Sequence, residues 1–205
     1  MVGKALGKGN PARADARRQQ VLDAAAQCFR RAGFRGARLS AISALAGMST
    51  GHIYHYFKNK EAIVEAIVER NKDSVLSDIE QLKRQPDMLQ ALIEGASQCM
   101  ARRPQDDLDD PALLLEIFAE SARNPVVAGQ LRQRDGILRE SFKEALAIGQ
   151  RQGSIVREAD LNSLIDLLAA IFDGLTIRNA LHPDADRDGM LRLFRLLLER
   201  FLRPA

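Results

Sequence analysis

Residues 49–61, STGHIYHYFKNKE, gather both tyrosines of the chain, two of its three histidines and two lysines, with no acid before Glu61. Donors this dense suit three kinds of chemistry. His52 and His55 are three residues apart, close enough on a helix to share a metal ion. An imidazole beside a hydroxyl can move protons as a catalytic pair. Hydroxyls, imidazoles and ammoniums on one short helix can also hold phosphates and read base edges in a DNA groove. Metal is the poorest fit, because no Cys, Asp or other carboxylate stands close enough to complete a shell. No metal is expected, and DNA contact competes with a plain solvated surface for both histidines.

The elements around this stretch decide between the readings. Val21, Leu22, Ala25, Cys28, Phe29 and Ala32 recur at three- and four-residue steps, which predicts an amphipathic helix from about Asp15 to Ala32, closed by Gly33. Leu39, Ile42, Leu45 and Ala46 predict a short second helix. Gly47 and Met48 form a turn. Ser49 is placed to cap a third helix, Thr50 to Tyr56. FKNK interrupts the pattern, and a long helix starts near Lys60 and runs toward Pro86. Two short helices joined by a glycine turn and supported by another helix describe a helix-turn-helix, here over about 39–57. The second helix of that motif enters the major groove with its N-terminal residues leading. Those residues are Ser49, Thr50, Gly51 and His52, small at the start so that backbone can approach DNA. Ser49 suits a phosphate. His52 and His55 can bond to base edges. Tyr56 and Lys60, past the helix, can grip the backbone. Tyr54 has two readings, packing under the motif or touching phosphate.

Residues 17–67, RRQQVLDAAAQCFRRAGFRGARLSAISALAGMSTGHIYHYFKNKEAIVEAI, resemble the DNA-binding domain of TetR-family transcriptional regulators. Ala24, Phe29, Gly33, Phe34, Ile42, Ala46, Gly47, Ser49, Gly51, Ile53, Tyr54, Tyr56, Phe57, Lys60 and Glu61 carry the likeness, over about a quarter of the chain. The resemblance implies phosphate contacts at Tyr54, Tyr56 and Lys60, a recognition helix bearing Thr50, Gly51, His52 and His55, and a base contact at Ser40. One position departs. Where the family often has a capping Thr, this chain has Ala37, which cannot cap, and Arg38 follows as a candidate phosphate contact.

Charge agrees with a polyanion partner for the front of the chain. Net charge is +3, but residues 1–60 hold eleven Lys/Arg against two Asp/Glu, and residues 61–205 hold nineteen against twenty-five. The alternative is a merely solvated basic face. Residues 1–14 read as a flexible basic arm; Lys4, Lys8, Arg13, Arg17 and Arg18 suit a minor groove or a solvated tail. At 46% apolar residues the chain is not disordered, and no apolar run approaches a membrane span. Two cysteines in helical patterns give no disulfide framework, and a cytoplasmic protein with no cofactor is expected.

Residues 71–205 read as helices throughout, so the fold class is all-α: a three-helix DNA-binding domain over 15–70, then a helical effector-binding and dimerisation domain. No nucleophile–base pair, glycine-rich phosphate loop or metal-ligand cluster occurs there, so an enzyme is not expected. Met100, Phe118, Phe142 and Phe172 are candidate walls of an effector cavity, with ordinary core as the competing role. Glu116 and Glu120, one helical turn apart, could select a cationic ligand or lie on a solvated face. The last two helices carry more apolar surface than one core stripe needs. The resemblance implies that they pair with a second copy. Leu168, Ala169, Gly174, Phe194, Leu197 and Phe201 are the candidate interface. The expected partners are an operator in double-stranded DNA, a small-molecule effector and a second copy of the chain. The expected function is a ligand-responsive repressor; the alternative is an activator or an unregulated DNA-binding protein of the same fold.

Overall fold

The computed structural model describes residues 11–101, 111–182 and 184–204. The arm residues Lys4 and Lys8, and the acidic loop before Pro111, lie outside them. The described residues form helices and connecting turns: α1 Pro11–Gly36, α2 Leu39–Leu45, α3 Thr50–Tyr56, α4 Lys60–Leu82, α5 Met88–Ala101, α6 Pro111–Ser121, α7 Pro125–Gln152, α8 Leu161–Leu181 and α9 Arg187–Leu202.

Caps explain most boundaries. Ser49 accepts from the His52 N–H at 3.2 Å and starts α3. Asn59 accepts from the Ala62 N–H at 2.8 Å and starts α4. Asn124 caps α7 ahead of Pro125, and Gly153 ends that helix in the left-handed conformation. Asp160 and Asp186 cap α8 and α9. The first helix departs from expectation. It starts at Pro11, so Arg13, Arg17 and Arg18 stand on α1 rather than on a flexible arm. Gly33, at φ +67° and ψ 168°, is non-helical and breaks α1 where the sequence places its end; a short turn of helix continues beyond the kink to Gly36.

Two apolar clusters hold the molecule together. The first contains Val21, Leu22 and Phe29 of α1, Ile42 of α2, Ile53 of α3 and Ile63, Val64 and Ile67 of α4. It also takes in Leu113 and Ile117 of α6 and Val127 of α7. The second joins the end of α4 to α5, α7, α8 and α9 through Ile79, Met88, Ile93, Leu146, Leu168, Phe194 and Leu198. The helix-turn-helix is therefore packed onto the body, not tethered to it. Long α4 and α7, 23 and 28 residues, contribute to both clusters. Arg134 of α7 donates through Nε and Nη2 to the buried Asn71 of α4, at 3.1 and 2.7 Å, and fixes their register.

Gly149 of α7 lets α5 approach closely. A Cβ there would stand 2.8 Å from Cβ and Cγ of Met88 and 3.0 Å from Cδ1 of Ile155. Met88 and Ile155 are fully buried, so neither has room to yield. Gly149→Ala should lower unfolding free energy by about 1–3 kcal/mol through overpacking, despite its better helix propensity. Chemical denaturation measures it, and a more stable variant would contradict the packing described.

Candidate nucleic-acid interface

The inward residues of the helix-turn-helix set the outward ones. Ile42 and Ala46 of α2, Ile53 of α3 and Phe57 are all buried. On a seven-residue helix whose Ile53 points inward, Gly51, His52, Tyr54 and His55 are left exposed. Gly47, at φ +60°, makes the turn between α2 and α3. Gln20 of α1 donates to the Ala46 carbonyl at 2.8 Å and closes the end of α2. Arg38, exposed, is the residue before α2 and makes no side-chain cap; Ala37 is buried in the core. The missing cap is thus a core contact.

Hydrogen bonding separates donors that face solvent from donors already used. Ser43 Oγ donates to the Ser40 carbonyl at 2.9 Å. It lies 3.1 Å from Thr50 Oγ1, so Thr50 is the donor in that pair. Thr50, expected on the reading face, therefore spends its proton joining α3 to α2. Ser49 accepts from backbone and keeps its own proton, and Ser40, in the first turn of α2, is also exposed. Tyr56 is half-buried against the core. His52 stacks on it at 5.4 Å between ring centroids, and His55 meets it edge-on at 5.3 Å. Both imidazoles are thus braced on an aromatic ring while their nitrogens remain on an exposed face. Among the described residues no three His, Cys, Asp or Glu side chains gather as a metal site.

Tyr54 is 54% exposed, which removes the reading that it packs under the motif. It lines a shallow cleft of about 390 Å³ with Arg35, Arg38, Lys58, Lys60 and Glu61. Four cations and a phenol against one carboxylate make this a place for phosphate oxygens. Arg35 and Lys58 were not legible as site residues in the sequence. They belong to its basic excess, but only the fold brings them beside Arg38.

Lys60 also has a structural role. Its ammonium donates to the Phe34 carbonyl at 2.6 Å and sits 4.5 Å over the Phe34 ring. It ties the start of α4 to the end of α1 before it touches anything else. Lys60→Ala should therefore cost stability, about 1–3 kcal/mol for a charged hydrogen bond with a ring contact, measurable by thermal unfolding without DNA. An unchanged melting temperature would return Lys60 to a contact role alone.

The dimer candidates divide by helical register. Leu168 of α8 and Phe194 of α9 are buried inside the protomer, at 2% and 5% exposure, and are not free to meet a second copy. Both face the second core because α5 and α7 cover that side. Ala169 is exposed, Gly174 half-buried, and Leu197 and Phe201 stand 52% and 74% exposed. Leu167 and Ile177 of α8 and Leu193 and Leu196 of α9 are exposed as well.

The aromatic candidates for an effector wall divide between core and surface. Phe142 and Phe172 pack against the second core, Phe172 edge-to-face with Phe194 at 6.1 Å, and Phe118 is on the surface. The Met100 side chain lies outside the described residues. A separate cleft of about 420 Å³ opens between α5 and α9, lined by Ile93, Ser97, Asp188, Leu191, Arg192 and Arg195. Phe118, Phe142 and Phe172 are not among its described lining residues.

Comparison with known proteins bears on both halves. A family model described as bacterial regulatory proteins, tetR family, matches residues 21–67. A second, described as BetI-type transcriptional repressor, C-terminal, matches residues 98–203. The HTH-type transcriptional regulator UidR of Escherichia coli is 29% identical over 150 residues, 71% of each chain. The HTH-type transcriptional regulator BetI of Serratia proteamaculans is 29% identical over 178 residues, 82% of this chain and 83% of that one. Among solved structures, Salmonella enterica GusR superposes with a TM-score of 0.80 at 27% identity, covering 97% of this chain and 99% of its own.

Proposed function

Since the chain belongs to the TetR family of bacterial regulatory proteins, we propose that it is a homodimeric repressor, held on a two-fold symmetric operator by α3 and released by a small molecule bound in the body. The family makes it a DNA-binding transcriptional regulator and not an enzyme. The observation that carries the reading is the basic cleft of Arg35, Arg38, Tyr54, Lys58 and Lys60 beside the exposed face of α3. Phosphates in the cleft would fix the protein's register on the duplex, and His52, His55 and Ser40 would read base edges.

The outward apolar surface of α8 and α9 supports a second copy as partner. Leu193, Leu197 and Phe201 recur every four residues on one side of α9, and all are exposed in the protomer. A two-fold axis there would present two recognition helices to half-sites roughly one DNA turn apart, about 34–36 Å or somewhat more. On this reading the protein works in the cytoplasm beside DNA. Among the described residues no helix is long and apolar enough to cross a membrane.

Release requires an effector that prefers a body conformation incompatible with DNA. The packing supplies a route. α6 and α7 share a core with α1–α4, so a shift of either displaces the reading head as well. The test is a titration of the protein on a labelled duplex enriched from random sequence, repeated with a panel of small metabolites. Release by one chemical class supports the repressor reading. Tighter binding in the presence of a compound would make that compound a corepressor and overturn release.

A further inference from the structure

The acidic pair Glu116 and Glu120 of α6 does not lie on a solvated face. Both side chains meet the end of α1. The Glu116 carboxylate lies against Gly33, where an added Cβ would come within 3.2 Å of Oε2. Glu120, only 5% exposed, has its Oε2 3.2 Å from Arg123 Nε and 3.7 Å from Arg35 Nε. Arg123 sits on the turn after α6, within hydrogen-bonding distance. Arg35 comes from the DNA-binding domain, is 71% exposed, and also lines the basic cleft with Arg38, Tyr54, Lys58 and Lys60.

We propose that Arg35 is a further phosphate-contact residue, shared between the DNA backbone and Glu120, so that the body sets how much of the basic cleft the DNA can use. The proposal rests on the DNA-binding reading above. Three features make sharing physically reasonable. The Arg35–Glu120 separation is longer than a good charge-assisted hydrogen bond, so the link is weak and exchangeable. Glu120 keeps Arg123 when Arg35 leaves, so no buried carboxylate is stranded. Glu120 also lies where α6 meets Arg123 and Asn124, the turn that starts α7. Asn124 in turn approaches Glu61, at 3.5 Å, on the rim of the same cleft. Movement of this turn would therefore change the acid facing Arg35.

The test uses the full-length protein on two labelled duplexes of equal length, the enriched site and a scrambled one, over a range of salt. Glu120→Gln frees Arg35 and should tighten both complexes about two- to five-fold, with a steeper salt dependence approaching one more phosphate contact. Arg123→Gln leaves Glu120 to Arg35 alone and should weaken both. Arg35→Gln should weaken both and abolish the effect of Glu120→Gln in the double variant. A general loss of stability would move Glu120→Gln and Arg123→Gln in the same direction, so opposite signs support sharing. Changes of the same sign overturn it. So does no change in either variant, or an effect of Glu120→Gln that survives without Arg35. A wild-type protein that holds neither duplex would sink the DNA reading itself; a wild type that binds while Glu120→Gln does nothing sinks only the role of Arg35.

Discussion

Gly51→Glu should abolish operator binding while leaving the fold intact. Gly51 is exposed at the second position of α3, and nothing lies within 4 Å of a Cβ placed on it. Replacing helical glycine gains about 0.5–1 kcal/mol of propensity, and an acid in the first turn gains a few tenths more. The melting temperature should hold or rise slightly. Against DNA the same carboxylate faces phosphates where the helix must enter closely. Like-charge juxtaposition costs several kcal/mol, so affinity should fall by about two orders of magnitude or more on any sequence. Fluorescence anisotropy with a thermal melt measures both halves. A variant that still binds tightly would mean that the start of α3 does not approach DNA.

The second large effect is expected at the other end of the molecule. Leu197→Glu with Phe201→Glu should give a folded monomer. Both residues are exposed in the protomer and lie one turn apart on α9, so charging them removes nothing from its core. In a dimer they would be buried, and two unpaired carboxylates on each side would oppose association by several kcal/mol. Sedimentation should show a monomer at micromolar concentration with helical circular dichroism unchanged. Operator affinity should then fall about 100-fold or more, because the second half-site loses the effective concentration that the dimer provides. Leu198→Glu is the contrasting variant. Leu198 is the residue after Leu197 but is 6% exposed, and charging it should unfold the body. A dimer that survives the double substitution would place the interface elsewhere.

These two sites also mark what the sequence makes legible. The recognition helix was readable because its signals are local: a glycine turn, a serine cap and buried Ile53 three residues beyond Thr50. Both ends of α2 and the start of α4 are legible to within a residue for the same reason. The front of α1 was missed. Residues 11–20, PARADARRQQ, are mostly exposed and carry no apolar stripe, although proline at the first position favours a helix start. Register on α8 and α9 was only half legible. Leucines occur around most of α9, and which stripe is core depends on where α5 and α7 lie. Phe194, Leu198 and Leu202 face inward, whereas Leu193, Leu197 and Phe201, each one residue earlier, face out. The cleft residues Arg35 and Lys58, the Lys60–Phe34 tie and the Arg35–Glu120 pair join positions far apart in the chain. No spacing rule encodes such contacts. Phe142 and Phe172 join the second core while Phe118 stays on the surface, and size alone does not distinguish those fates in the sequence.

On the proposed function, α3, paired by a two-fold axis through α8 and α9, reads a specific DNA sequence. Selection of the purified wild-type protein on random duplex DNA, sequenced after several rounds, tests it most directly. An inverted repeat should be enriched, with half-sites about one helical turn apart or somewhat more. A pool without enrichment, or a single half-site with no inverted copy, would contradict it.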